Sequence, residues 1–261
     1  MIRSAGIRSD LMVMRGFTRV TEHPDYYEFH TPDEPDFWYG NCIVEKMPPI
    51  DPAAVLARFD QHFPTSKHAV MCWDIPDFQM AEGTADWFRE RDFSVERDVF
   101  LSGGRDINRF DLPDGITARP IGADDWGQLI DAQQAIGVEL GFADATHRSY
   151  LESRNARRRD QIARGEGQWF GAFDGDLLVA DMGIFHDQDV ARYQAVATHI
   201  DYRGRGICAA LLGIAHEWAI KRAPDATVLI ATDVTGSARR VYERVGFKPF
   251  EVITSVMRRA Y

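Results

Sequence analysis

Cysteine is scarce in this sequence: Cys42, Cys72 and Cys208 are the only three in 261 residues. An odd, scattered set has neither metal-ligand spacing nor a disulfide framework, so no metal site is expected and a reducing, cytoplasmic home is. Long apolar runs are missing too. None approaches the roughly 20 residues of a membrane span, and Met1–Asp10 carries no apolar core of signal-peptide length. A basic surplus is also absent. The 30 Lys and Arg against 40 Asp and Glu leave a net charge of −10, which argues against nucleic acid as a general partner. The deficit is uneven: 12 basic against 20 acidic residues up to Leu112 (−8), then 18 against 20 (−2). An acidic surface for solubility accounts for most of this, and attraction of a cationic substrate is the functional alternative.

What is present is an ordinary globular composition, 45% hydrophobic and 27% charged. At 261 residues two domains are expected, 1–112 and 113–261, with Leu112-Pro-Asp-Gly115 as the break. The first half reads as short strands at Leu11–Met14, Tyr26–His30, Trp38–Glu45, Lys67–Trp73 and Phe93–Leu101. Its helices are Ala53–His62, capped by Asp51 with Pro52 at its first position, and Thr84–Arg91. The second half reads as strand Ile116–Ile121, then helices Asp124–Ala135 and Asp144–Ala163. The second of these helices bears Arg154, Arg157, Arg158 and Arg159 as a solvated face. A hairpin over 168–180 turns at Asp174-Gly175. Strand Thr227–Thr232, helix Ser237–Val245 closed by Gly246, and a terminal strand over 247–257 complete an α+β order.

The chain is organised around Ala191–Leu212: an apolar strand to Thr198, the basic glycine turn Tyr202-Arg-Gly-Arg-Gly206, and an apolar helix. Glycines let the backbone approach a ligand closely. The first amides of a helix lack internal partners, and the helix dipole favours an anion in front of them. Arg203 and Arg205 add permanent charge. The natural guest is a di- or polyphosphate.

Two further matches make this specific. Arg203-Gly-Arg-Gly206-Ile-Cys208 follows the pattern Gln/Arg-x-x-Gly-x-Gly/Ala, with Cys208 at the last position. Ala238-Arg-Arg-Val-Tyr242-Glu-Arg-Val-Gly246-Phe247 follows Ala-x-x-Leu-Tyr-x-x-x-Gly-Phe. Residues from about 116 to 258 therefore resemble the GCN5-related N-acetyltransferases, the GNAT superfamily. The resemblance implies a mixed, splayed central sheet flanked by helices, with acetyl-CoA as co-substrate. It assigns the pantetheine arm to backbone groups of Val196 and Thr198, and thioester polarisation to the amides of Val196 and Ala197. The pyrophosphate falls to Arg203, Gly204, Arg205, Gly206, Ile207 and Cys208, with Thr235, where the family often has Asn, and Ala238 beside the arm. Tyr242 is the implied general acid toward the leaving thiolate.

The general base is not evident. Arg192 stands where some relatives of this kind carry a carboxylate, and none occurs from Val190 to Thr198. Glu139, read as lying after the first helix of this half, is the first choice. Asp181 and His186 are weaker ones, and His199 has no clear role. Cys208 reads as a small buried hydrophobe rather than a reactive thiol.

In the first half, Trp87-Phe-Arg-Glu-Arg-Asp-Phe93 echoes Val241-Tyr-Glu-Arg-Val-Gly-Phe247. Lys46–Pro52 holds prolines where the glycine turn would stand, and proline has no N–H to offer a phosphate. This half is thus expected to be a degenerate GNAT-like copy, in tandem with the catalytic one, or an accessory α+β domain. The implied activity is N-acetylation of a small-molecule amine, with one active site per chain. Nucleic acid and membrane are not expected, and a homodimer is compatible with all of this. Transfer of another acyl group, another acceptor type, or a non-catalytic acyl-CoA-binding regulatory module are the alternatives.

Overall fold

The computed structural model describes residues 1–139, 141 and 145–259. In chain order these form α1 (Ala5–Val13), β1 (Arg19–Glu22), β2 (Tyr26–His30), β3 (Cys42–Glu45), α2 (Pro52–His62), β4 (Ala69–Trp73), α3 (Glu82–Arg89) and β5 (Ser94–Gly103). There follow β6 (Ile116–Pro120), α4 (Trp126–Glu139), α5 (Ala145–Ala163), β7 (Gly167–Asp174), β8 (Leu177–His186) and β9 (Val190–Thr198). The chain ends with α6 (Ile207–Arg222), β10 (Thr227–Asp233), α7 (Ala238–Val245) and β11 (Lys248–Arg258). Asp144, read as the start of the second helix of this half, lies outside the described residues.

A cut after residue 112 separates two runs of secondary structure in the sequence; backbone contacts group them otherwise. The first compact unit takes Met1–Leu101, Ala231–Arg239 and the chain from Pro249, and the second takes Ser102–Ile230 and Arg240–Lys248. A strand belongs where its hydrogen bonds go. Ser255–Arg258 of β11 pair antiparallel with Ala69–Cys72 of β4, a partnership with no trace in local sequence.

The first unit carries strands in the order β1-β2-β3-β4-β11. The first three are antiparallel neighbours, and β3 runs parallel to β4, Ile43 opposite Met71. Asp51 caps α2 by accepting the Ala53 amide at 2.9 Å, as its Asp-Pro start foretells. Apolar residues of α2 and α3 then meet the sheet in one cluster that includes Ile43, Phe59, Met71, Trp73, Phe88 and Phe93. The segment read as a strand at Leu11–Met14 is instead part of α1. Ser4 accepts the Ile7 amide, Glu251 accepts Ser4 Oγ at 2.7 Å and Gly6 N, and Asp74 accepts the Ser4 amide at 2.8 Å. Two carboxylates from residues 74 and 251 thus sit at the positive end of the helix.

The second unit orders its strands β6-β7-β8-β9-β10. The first four are antiparallel neighbours, and β10 runs parallel to β9. Helix α6 packs on β7, β8 and β9, while α4 packs on α5 and β8. Most of α6 is buried, as its apolar faces require, and Tyr193 of β9 donates its hydroxyl to Leu212 O at 2.8 Å. The arginines of α5 depart from expectation: Arg154 and Arg158 are buried, not solvated. Arg158 lies over the Trp169 ring at 4.5 Å and donates to Asn155 Oδ1 at 3.1 Å. A planar guanidinium can stack on an indole while its edge stays hydrogen-bonded, which offsets its burial.

Candidate active site

The site begins with a defect in β9. Its pairing with β8 steps from Asp181↔Ala197 to Gly183↔Gln194, so β9 carries one extra residue, and Ala195 there has φ 46°. This is a β-bulge, which bends and twists the strand that bears it. On the other side, β10 pairs with β9 only over Val190–Arg192, Thr227–Leu229 being the partners. From Tyr193 onward, that edge of β9 has no partner in β10 among the described residues.

Register decides which backbone groups the open edge presents. His199 N donates to Val179 O at 2.8 Å, so His199 faces β8. With a period of two, Ala197 also faces β8, opposite Asp181, whereas Val196 and Thr198 face the open edge. The donors and acceptors on the open edge are therefore those of Val196 and Thr198, and the Ala197 amide is turned toward Asp181. Thr198 O already accepts from Arg203 Nε at 3.0 Å.

After a single 3-10 turn at Ile200–Tyr202, the chain enters the glycine turn. Gly204 and Gly206 have φ of 77° and 87°, a left-handed backbone that glycine adopts without strain. A Cβ at either would project into open space. Gly206 is the N-cap of α6, and no side chain caps that helix start. Its first amides are left to face whatever enters the turn, and Ile207 and Cys208 form the first turn behind them. This is a cradle that fits a pyrophosphate. Arg205 donates to Asp201 O at 2.7 Å and lies over the Tyr202 ring.

Beside the end of β9 lies a cavity of ≈ 120 Å³, lined by Ala132, Ile136 and Glu139 of α4, Val179 and Asp181 of β8, and Ala197. Glu139 is the last residue of α4, not part of a following loop, and its carboxylate meets Arg203 at 2.7 Å. Asp181 is buried, at 2% exposure. Its Oδ1 accepts from Trp169 Nε1 at 3.0 Å and Gln133 Nε2 at 3.4 Å, and Gln133 Oε1 in turn accepts from Asn155. Burial pushes the Asp181 carboxyl up to about 7, against the opposing pull of those two donors and Arg158. The sequence did hold a signal for this residue: it is the lone carboxylate in the apolar run Leu177–Phe185.

His186 is not part of this site. It pairs with Ala191 at the far end of β8, five residues beyond Asp181 or about 16 Å along a strand, and packs on Trp218. His199 accepts the Asp201 amide and lines the cavity edge.

Tyr242, in α7, is buried at 4% exposure. Burial holds its hydroxyl well above the usual phenol range, with Cys208 raising it further and the Arg192 guanidinium opposing. Burial pushes the Cys208 thiol up to about 11, so it stays protonated and inert at neutral pH. Thr235 donates its amide to Asp233 Oδ1 at 2.7 Å, and Ala238 opens α7; both fall in the 231–239 segment that groups with the first unit.

The first unit repeats the element order strand, helix, parallel strand, helix, strand without this equipment. Its α3 closes as α7 does, Phe93 N on Phe88 O at 3.1 Å and Phe247 N on Tyr242 O at 3.0 Å. Where α7 has a phenol, α3 thus has Phe88.

Residues 165–249 match the family described as "Acetyltransferase (GNAT) domain", so that stretch of the second unit is similar to a GNAT acetyltransferase domain. The chain's fold is that of solved structures across nearly its whole length. A GCN5-related N-acetyltransferase from Kribbella flavida aligns with a TM-score of 0.62 at 17% identity, over 98% of this chain and 95% of that one. A functionally unknown conserved protein from Staphylococcus epidermidis aligns with a TM-score of 0.70 at 14% identity, over 92% and 93%. A tandem GNAT protein from the clavulanic acid biosynthesis pathway gives a TM-score of 0.55 at 10% identity, over 94% and 78%. No curated protein matches the chain in sequence.

Proposed function

We propose that this protein is an acetyl-CoA-dependent N-acetyltransferase, moving the acetyl group directly from the thioester to an amine of a small molecule. The observation that carries this reading is the unpaired edge of β9 leading into a left-handed glycine turn and an uncapped α6. Such an edge receives an extended amide-bearing chain as an added strand, and such a turn receives phosphates. The pantetheine arm lies along Val196 and Thr198, and the pyrophosphate sits on the amides from Arg203 to Cys208.

In the reaction the amine nitrogen forms a bond to the acetyl carbon while the carbon–sulfur bond breaks. The Val196 amide stabilises the oxyanion. The proton lost by nitrogen passes to Asp181, whose carboxyl near 7 suits a general base at neutral pH. Glu139, on the same cavity, steadies the cationic acceptor and holds Arg203 until the phosphates arrive. Tyr242 supplies the proton to the departing sulfur, and Arg192 lowers the cost of the phenolate that this leaves. Both groups then exchange their protons with solvent. The first unit is a second GNAT-like copy without a cofactor site, Phe88 and the prolines of Lys46–Pro52 standing where an acid and a glycine turn would be needed. Three cysteines free of disulfides support a cytoplasmic setting.

Release of free CoA thiol from acetyl-CoA, followed across a panel of small amines, tests the reading. Release with at least one amine is expected. Tight CoA binding without release on any amine would instead mark an acyl-CoA-binding regulatory module. Release only from longer or charged acyl thioesters would reassign the donor.

A further inference from the structure

The first unit contains a cluster of chemistry that the acetyl-transfer reading does not use. His23 follows β1, Glu28 lies on β2, and His62 is the last residue of α2. Glu28 Oε2 is 3.1 Å from His62 Nδ1 and 3.7 Å from His23 Nε2, and no separation among one ligand atom from each exceeds 4.8 Å. His23 Nε2 is buried yet has no hydrogen-bond partner. We propose that His23, Glu28 and His62 form a binding site for a Zn²⁺-class transition-metal ion, joining the β1–β2 hairpin to the end of α2.

The donor set is right for such an ion: two imidazoles and a carboxylate, with the fourth position open to water. A tetrahedral zinc with bonds of about 2.0–2.1 Å holds its ligand atoms about 3.4 Å apart, so the two measured separations bracket the requirement. Rotation of the His23 ring, 27% exposed, closes the third. The surroundings already fix the ligands. Tyr26 Oη lies 2.9 Å from His62 Nε2, a contact that holds the ring with Nδ1 toward the Glu28 carboxylate. The His23 ring stacks on Tyr26 at 4.2 Å, its amide donates to Tyr26 O, and its carbonyl accepts from Lys46 Nζ. Alternation along β2 puts Tyr26, Glu28 and His30 on one face, and His30 Nδ1 is 3.9 Å from the other Glu28 oxygen.

The test is titration of the full-length, tag-free, chelator-treated protein with Zn²⁺ by calorimetry and with Co²⁺ by visible absorption. One equivalent per chain is expected, with a tetrahedral cobalt spectrum free of a sulfur-to-metal band and a raised Tm on zinc addition. Glu28→Gln, which keeps the side chain's shape, and His23→Ala should each weaken Zn²⁺ at least about 10-fold, and Tyr26→Phe should weaken it without abolishing it. Far-UV circular dichroism confirms that each variant is folded. Absence of binding, a sulfur-to-cobalt band that puts the ion on a cysteine, or wild-type affinity in folded Glu28→Gln and His23→Ala would each overturn the site.

Discussion

Arg203 and Glu139 are joined across the second unit: the guanidinium of the glycine turn lies 2.7 Å from the carboxylate that ends α4. In the proposed function an arriving pyrophosphate needs that same guanidinium. Both side chains are partly exposed, so the pair is worth about 0.2–1 kcal/mol. Replacing Glu139 by Gln should therefore tighten CoA binding by up to about 5-fold by calorimetry, and the gain should shrink at high salt.

Asp181 makes stability depend on pH. Its folded carboxyl titrates at about 7 against 3.8 unperturbed, so from pH 4 to 7 the native state keeps a proton that the unfolded chain has lost. Its contribution to stability falls as pH rises through that window and is level above it. Urea unfolding of wild type and Asp181→Asn at pH 5 and pH 8 should show the wild type losing stability relative to the variant, by up to about 3 kcal/mol. Activity should run the opposite way, with kcat rising toward pH 7 in the wild type. The Asn variant should lose that limb and about 100-fold or more in kcat. An unchanged kcat would remove Asp181 from the mechanism.

Tyr242→Phe removes one oxygen from a buried ring. Turnover should fall about 100-fold while the KM for acetyl-CoA stays within about twofold, because the hydroxyl acts on the leaving sulfur rather than on binding. Cys208→Ala, by contrast, should leave kcat within about twofold. Steady-state kinetics of the two variants side by side separates a proton donor from a merely adjacent thiol.

Gly206→Glu should abolish measurable CoA binding, since the new carboxylate projects into the space in front of α6. At φ 87° any side chain costs about 1–2 kcal/mol, a fall in Tm of about 2–8 °C. Gly206→Ala carries the same strain without the charge. It should show the same Tm shift with a smaller loss of affinity, and equal losses would mean that strain alone explains the first variant.

Gly183→Ala probes how Asp181 is held. The added Cβ would collide with the Trp169 ring, whose indole N–H donates to Asp181 at 3.0 Å. Overpacking of this kind costs about 1–3 kcal/mol. Urea midpoints should drop accordingly, and the rising limb of the pH–rate profile should move.

The elements that announce themselves locally were readable. Asp51-Pro52 starts α2, the Asp174-Gly175 turn joins β7 to β8, and the apolar run after Gly206 becomes the buried α6. Each rests on chemistry within one turn of chain. Helix α1 was not readable, because its N-terminus is held by Asp74 and Glu251, residues distant in sequence. Arg158 looked solvated for the same kind of reason: the indole that covers it belongs to β7.

By itself the sequence determined the left-handed glycine turn ahead of a buried helix, since glycines at 204 and 206, arginines beside them and an apolar helix behind are contiguous and leave the backbone little choice. It also marked Tyr242 through the Tyr-x-x-x-Gly-Phe ending. Only the tertiary structure decided what surrounds them. The bulge at Ala195 and the early end of β10 pairing choose which amides face outward, and these are properties of register between strands. The shift of Asp181 comes from burial by side chains of other elements, and a pKa follows from surroundings that no single stretch of chain contains.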